Sequence, residues 1–394
     1  MATALFASKV CAGTAYEEIL RIMFKTPLYM SKTSVMLTGA LLALSACAID
    51  AQSNYSVTFP VGAKADNTMA YLVDWDSAQK IDSVIVSNGT VRFEGKVDAP
   101  SIGRIMVGGK RGPVFFIEKG DVTINERGES SGTPLNDKFV EYRGKMAALS
   151  DEYKKLDQND SVQAARGKAI ISDYNAMPVN AYAANKDNVF GLYMYMQGAY
   201  ELPLAQVESD MAQNKMLASS KQLQALHKTL KIQSETGEGK HYKDFVVEYN
   251  GKKEALSDYV KPGQVTIVDF WASWCGPCVR QLKVLKELYA KYKDRGLNVV
   301  GVAVWDKPED TEKAIKSHEL PWPCIVNAQT IPTDLYGIQG IPCIIVINSE
   351  GIIVSRDKQS EALVKDVDEV MAAYKPMAAV VPAAEELADT VAAF

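Results

Sequence analysis

The tetrad Cys275-Gly276-Pro277-Cys278 constrains this chain more than any other stretch. Ahead of it, Val265-Thr266-Ile267-Val268-Asp269-Phe270 reads as a buried strand. After it, Val279 to Lys291 carries Leu282, Leu285, Leu288 and Tyr289 at helical spacing. The cysteines therefore stand at a strand-to-helix junction, where two sulfurs can close and open a disulfide without moving the backbone. The first sulfur meets unpaired N–H groups and the positive end of the helix dipole. Both favour thiolate over thiol, which makes Cys275 the expected nucleophile. Cys278, one turn in and less exposed, is the expected resolving thiol.

Two plainer readings compete. Half a zinc site would need a second pair of ligands. The late cysteines Cys324 and Cys343 are isolated, and His227, His241 and His318 have no ligand spacing. A purely structural disulfide across so tight a loop restrains the unfolded chain little. Redox chemistry without metal or cofactor is the expectation.

A length of 394 residues suits two or three domains, and 47% hydrophobic content suffices for real cores. A net charge of -5, with no basic patch interleaved with aromatics, argues against a nucleic-acid partner. Residues 30–47 have the grammar of a secretory signal: a charged start, a short apolar run and small residues at the end. Leu44-Ser45-Ala46-Cys47 resembles a bacterial lipobox, which predicts lipidation at Cys47. Translation from Met23 or Met30, or loss of residues 1–29 with the signal, would explain the preceding segment. Outside the cytosol disulfides persist, so a reactive pair needs a partner to keep it in its working state.

From Tyr55 to Asn125, short alternating runs are separated by Ser87-Asn88-Gly89, Gly108-Gly109 and Lys119-Gly120. They predict an antiparallel β domain, a sandwich or barrel-like fold, over residues 53–134. Asp74, Asp76 and Asp82 there read as solvated loop acids rather than a metal site. Residues 135–237 switch to helical period, with Phe139, Tyr142 and Met146, then Leu223, Leu226 and Leu230, and end in the polar linker 234–240. From 238 to 376 strands and helices alternate, which predicts a largely parallel α/β sheet. Asn250-Gly251 signals a hairpin turn. Residues 1–52 are leader and signal, and the alanine-rich residues 377–394 read as a flexible tail.

Three motifs carry a resemblance: Trp274-Cys275-Gly276-Pro277-Cys278, Asp269 in the preceding strand, and Gly337-Ile338-Gln339-Gly340-Ile341-Pro342. The segment from about His241 to Tyr374 resembles a thioredoxin domain. It is most similar to the thioredoxin-like proteins of the bacterial envelope, a group that includes cytochrome c maturation reductases. The β domain and helical region resemble the domain of unknown function found ahead of such lipoproteins. The resemblance implies a cis Ile341–Pro342 bond beside the disulfide, exposing the carbonyl edge of Ile341 to an extended peptide. It also implies an α+β multidomain chain with a C-terminal thioredoxin fold. Trp274, Gly276, Pro277, Ile341 and Pro342 are then the substrate-facing residues, with Trp271 in the core.

An ionisable Asp269 in an apolar strand should have a raised pKa and could take the proton from Cys278. The chain departs from its relatives at Gln281 and Lys283, where glutamate and proline are common, and at Cys343, where threonine is common. Cys343 reads as a small core residue or, alternatively, a third thiol near the pair; a Cys324–Cys343 bridge is a further option. The expected function is that of an exported thiol–disulfide oxidoreductase, reducing disulfides of envelope proteins with electrons from a membrane donor. Cytochrome c maturation or general disulfide reduction would be its role. The alternatives are a peroxiredoxin-like peroxidase, whose cysteine motif is not found, and a non-catalytic binding lipoprotein.

Overall fold

The alternation along Tyr55–Pro60 buries Tyr55 and Val57, and the same logic builds seven further strands after it. The computed structural model describes residues 53–157 and 159–375. The expected signal with Cys47 and the expected alanine-rich tail lie outside the described residues. The chain divides into two compact units, 1–174 and 175–394.

In the first unit the strands are β1 Tyr55–Pro60, β2 Met69–Asp74, β3 Lys80–Ile85, β4 Thr90–Gly95, β5 Ser101–Val107, β6 Lys110–Ile117, β7 Gly120–Ile124 and β8 Ser130–Ser131. They form two four-stranded sheets, ordered β4-β1-β7-β8 and β3-β2-β5-β6. Val57, Phe93 and Val122 of the first sheet share one core with Leu72, Ile105 and Phe115 of the second, so the unit is a sandwich. Gly108 and Gly109 both take positive φ, as a two-residue hairpin between β5 and β6 requires.

One pairing departs from the all-antiparallel expectation: β1 and β7 run parallel. The chain leaves the first sheet after β4, builds β5 and β6 in the second, and returns beside β1. Side-chain alternation encodes which face is buried but not which way a neighbour runs. The helix Pro134–Lys154 then docks through Asn136, which accepts from Phe116 N–H and donates to the Phe116 carbonyl, at 3.0 and 2.8 Å.

The helix Ser161–Ala183 crosses the division at 174. In the second unit, Val189–Gly198, Leu204–Gln213, Lys215–Ser219 and Lys221–Glu235 follow. Asn188, Asn214 and Ser220 cap three of these helices with their side chains. The expected polar linker is not free. Thr236 is fully buried, and its carbonyl and hydroxyl each accept from Arg356 Nη1 at 2.8 Å.

The hairpin β9 Val246–Tyr249 and β10 Lys252–Ala255 turns at Asn250-Gly251, both at positive φ. The main sheet comprises β11 Val265–Trp271, β12 Leu297–Ala303, β13 Cys324–Ile325, β14 Cys343–Ile347 and β15 Ile353–Arg356, in the order β13-β12-β11-β14-β15. It is mixed rather than largely parallel. β11, β12 and β13 run parallel, whereas β14 pairs antiparallel with both β11 and β15. The connection through the short helix Ile331–Tyr336 reverses the chain before β14, and no helical crossover separates β14 from β15.

Every residue of β11 is buried, which explains its unbroken apolar run. One face of the sheet packs Val268, Phe270, Val302, Cys343 and Ile345 together. The other packs Ile267, Val299, Ile344 and Val346 under the helices Gly276–Tyr292 and Ser360–Ala373.

Candidate active site

β11 ends at Trp271, and after the three residues 272–274 Cys275 caps the helix that follows. Its sulfur accepts from the Cys278 N–H at 3.2 Å, so a free backbone donor of the first turn points at Sγ. Gly276 and Pro277 form that turn, where a proline's missing N–H costs nothing. Cys275 and Cys278 are joined as a disulfide, with Cα atoms 5.2 Å apart. Both are buried, Cys275 at 3% exposure and Cys278 at 0%. The helix is pinned at Gln281, whose amide exchanges two hydrogen bonds with Ser360.

The bond Ile341–Pro342 is cis. It places the Ile341 carbonyl oxygen 3.8 Å from Cys275 Sγ, and the Ile341 side chain against the cluster of Trp271, Cys275 and Cys278. Trp274 stands beside them, 62% exposed, and its indole N–H donates to the Trp305 carbonyl at 3.0 Å. Trp305 sits at φ 54°, a left-handed conformation that is costly for a bulky residue. Trp271, by contrast, is fully buried.

Sequence reasoning missed Asp306. Its carboxylate accepts from Ser273 N–H at 2.7 Å, Ser273 Oγ at 3.0 Å, Lys307 N–H at 2.9 Å and Thr311 Oγ1 at 2.8 Å. The residue thus holds the Ala272–Trp274 loop against the start of the helix Pro308–Ser317. Its signal was an acid shortly after a strand and two residues before Pro308, a pattern shared by many ordinary loops.

Asp269 alternates with Ile267 and Trp271, so it faces the side covered by the Cys275-capped helix. It is 1% exposed, and neither carboxylate oxygen has a hydrogen-bond partner. Burial alone pushes its pKa up to about 7. The side chain is thus poised to exchange a proton near neutrality.

The two remaining thiols of the second unit are free. Cys343 lies in the core of the opposite face, away from the disulfide. Cys324 packs against the disulfide's own cluster. The third thiol near the pair is therefore Cys324, not Cys343, and the two do not bridge. The inversion arises because Cys324 reaches the site through its pairing with Gly301, a non-local contact. Among the described residues no group of three His, Cys, Asp or Glu side chains is placed to hold a metal ion.

Residues 239–356 match the AhpC/TSA family, and residues 55–139 match a domain of unknown function, DUF4369. The thiol-disulfide oxidoreductase ResA of Bacillus thuringiensis subsp. konkukian is 27% identical over 121 residues, covering 30% of this chain and 69% of that protein. ResA of Bacillus subtilis is 30% identical over 118 residues, covering 30% and 65%. Among solved structures, the thioredoxin domain of a Bacteroides vulgatus thiol-disulfide oxidoreductase is 27% identical, with 34% of this chain and 96% of that one covered and a TM-score of 0.31. A thiol-disulfide oxidoreductase from Bacteroides fragilis is 29% identical, covering 33% and 98%, with a TM-score of 0.30. Residues 239–356 are thus an AhpC/TSA thioredoxin-like domain whose relatives are thiol–disulfide oxidoreductases, with a DUF4369 domain ahead of it.

Proposed function

We propose that this chain reduces disulfides of exported proteins through Cys275 and Cys278, anchored at the cell envelope by a lipid on Cys47. The observation that carries the reading is the juxtaposition of a helix-capping disulfide, an unpartnered Asp269 on the covered face and the Ile341 edge. The signal-like residues 30–47 support the location.

The first step starts from the dithiol. Cys275 thiolate, stabilised by the Cys278 N–H and the helix terminus, attacks one sulfur of a substrate disulfide. A mixed disulfide forms and the other substrate sulfur leaves as thiolate. Cys278 then gives its proton to the Asp269 carboxylate and attacks Cys275 Sγ. The second substrate thiolate leaves, and the Cys275–Cys278 bond seen here remains. Two electrons have passed to the substrate, so an envelope electron donor must return them. The Gly-Pro pair favours this direction, since dithiols of the thioredoxin type are strong reductants at roughly -270 mV. Ile341, Pro342 and Trp274 would offer the docking edge for an extended substrate segment.

Replacing Cys275 with serine is expected to abolish insulin-disulfide reduction above the dithiothreitol background. Retained turnover in that variant refutes the assignment. A Cys278→Ser variant should hold substrates on Cys275 as mixed disulfides. Cytochrome apoproteins among them would indicate maturation, and a broad set of envelope proteins general reduction.

A further inference from the structure

Strands β3, β2, β5 and β6 turn one face into the sandwich core and the other outward. At one end of the outward face, Phe116 packs edge-on against Phe139 of the helix Pro134–Lys154, with ring centroids 5.6 Å apart. The other end is open. There Met69 pairs with Ile85, and Tyr71 lies between Ser83 and Met106. Met69, Tyr71 and Ile85 are 41%, 39% and 62% exposed. Residues opposite one another in an antiparallel pair share a face, so these side chains form one apolar patch.

Cations border the patch. Lys80 Nζ lies 5.9 Å from the centre of the Tyr71 ring. Arg111 stands opposite Met106, and Arg104 opposite Val73, two residues along from Tyr71. None of the three forms an ion pair among the described residues. Arg104 Nε is buried with no hydrogen-bond partner. The two acids of these strands, Asp74 and Asp82, stand opposite Gly103 and Leu72 on the inward face. In a chain with a net charge of -5, this face is a local reversal of sign.

We propose that this face docks on an anionic phospholipid surface. Met69, Tyr71, Ile85 and Met106 enter the headgroup boundary, where the ring and the hydroxyl of a tyrosine are both accommodated. Lys80, Arg104 and Arg111 meet the lipid phosphates. A weak surface of this kind needs a second signal, and the lipid proposed on Cys47 supplies it. Residues 48–54 join that cysteine to β1 and span at most about 25 Å, which keeps the sandwich within reach of the bilayer. The inference rests on the proposed anchoring for this tether, and not for the chemistry of the face.

The test uses the full chain carrying Cys47→Ser, so that no acyl group contributes. It is sedimented with phosphatidylcholine vesicles, with and without phosphatidylglycerol. Residues 1–52 are common to every variant and cancel in the comparison. The parent should bind the phosphatidylglycerol vesicles more tightly, and added salt should reduce that gain. Lys80→Glu with Arg111→Glu, both exposed positions, should weaken binding to these vesicles about tenfold or more. Met69→Ser with Ile85→Ser should weaken it severalfold. Lys96→Glu with Lys119→Glu, an equal change of charge outside the strands of this face, should leave it nearly unmoved. Unchanged circular dichroism and melting report intact folding. Parent-like binding in the Lys80/Arg111 or the Met69/Ile85 variant overturns the inference. An equal loss in the Lys96/Lys119 variant overturns it as well, since net charge alone would then explain the binding. A parent indifferent to phosphatidylglycerol also overturns it, and leaves the face to an acidic protein partner. Native protein without an acyl group on Cys47, read by intact mass, would instead overturn the proposed anchoring, while the vesicle comparison would still be read.

Discussion

A carboxylic acid without a hydrogen-bond partner at the centre of a buried strand destabilises the fold whenever it ionises. The folded pKa of Asp269 is about 7, against about 3.9 for a free aspartate. Between these values the folded chain keeps a proton that the unfolded chain has released. The extra stability is therefore full below about pH 4 and is lost as pH rises through 7. Unfolding by denaturant in the oxidised form should show a fall on the order of 4 kcal/mol over that range. In Asp269→Asn the slope should flatten, leaving the variant more stable than the parent at pH 8. The same variant should slow mixed-disulfide resolution by about 10²-fold, read by rapid-mixing kinetics. A slope unchanged by the substitution would mean that another group carries the titration. Asp269 was legible because a charge interrupts an apolar run. Cys324 was not, because nothing near it in the chain points to a redox centre.

The loops and helix starts around the disulfide differ in how openly the chain states them. Asn214 and Ser220 stand where helices begin, and their caps follow from residue type. The Ala272–Trp274 loop is held instead by Asp306, thirty-odd residues later, through the two Ser273 hydrogen bonds. Asp306→Ala leaves Ser273 N–H and Lys307 N–H without that acceptor. A loss of about 2–4 kcal/mol is expected from thermal or denaturant melts. Insulin reduction should fall as well, because Trp274 and Cys275 continue that loop. Normal melting with normal turnover would show that the loop holds its shape without Asp306. The mixed sheet was equally hidden, since strand–helix alternation is silent about the reversal before β14.

In the second unit the thioredoxin-like sheet is tied to the helix Lys221–Glu235. Gln233 donates to the Gly337 carbonyl at 2.7 Å, and Arg356 reaches back to Thr236 and donates to the Tyr336 carbonyl at 2.7 Å. A fragment of residues 238–375 removes Gln233 and Thr236 and leaves Arg356 Nη1 without its two Thr236 acceptors. Compared with residues 189–375, it should melt at least about 5 °C lower, equivalent to 1–2 kcal/mol or more. Equal melting temperatures by calorimetry would make these ties dispensable.

The sequence by itself determined the cysteine pair, its strand-to-helix setting, the ionisable Asp269 and the switch from β to helical to alternating period. These features rest on neighbours in the chain: a cap, a period, a charge among apolar residues. Only the tertiary structure decided the parallel β1–β7 pair, the antiparallel β14, the hold of Asp306 on the active loop, and which thiol lies by the disulfide. Each depends on which strand lies beside which and in what direction, and pairing between distant backbones leaves no periodic mark on the residues that make it.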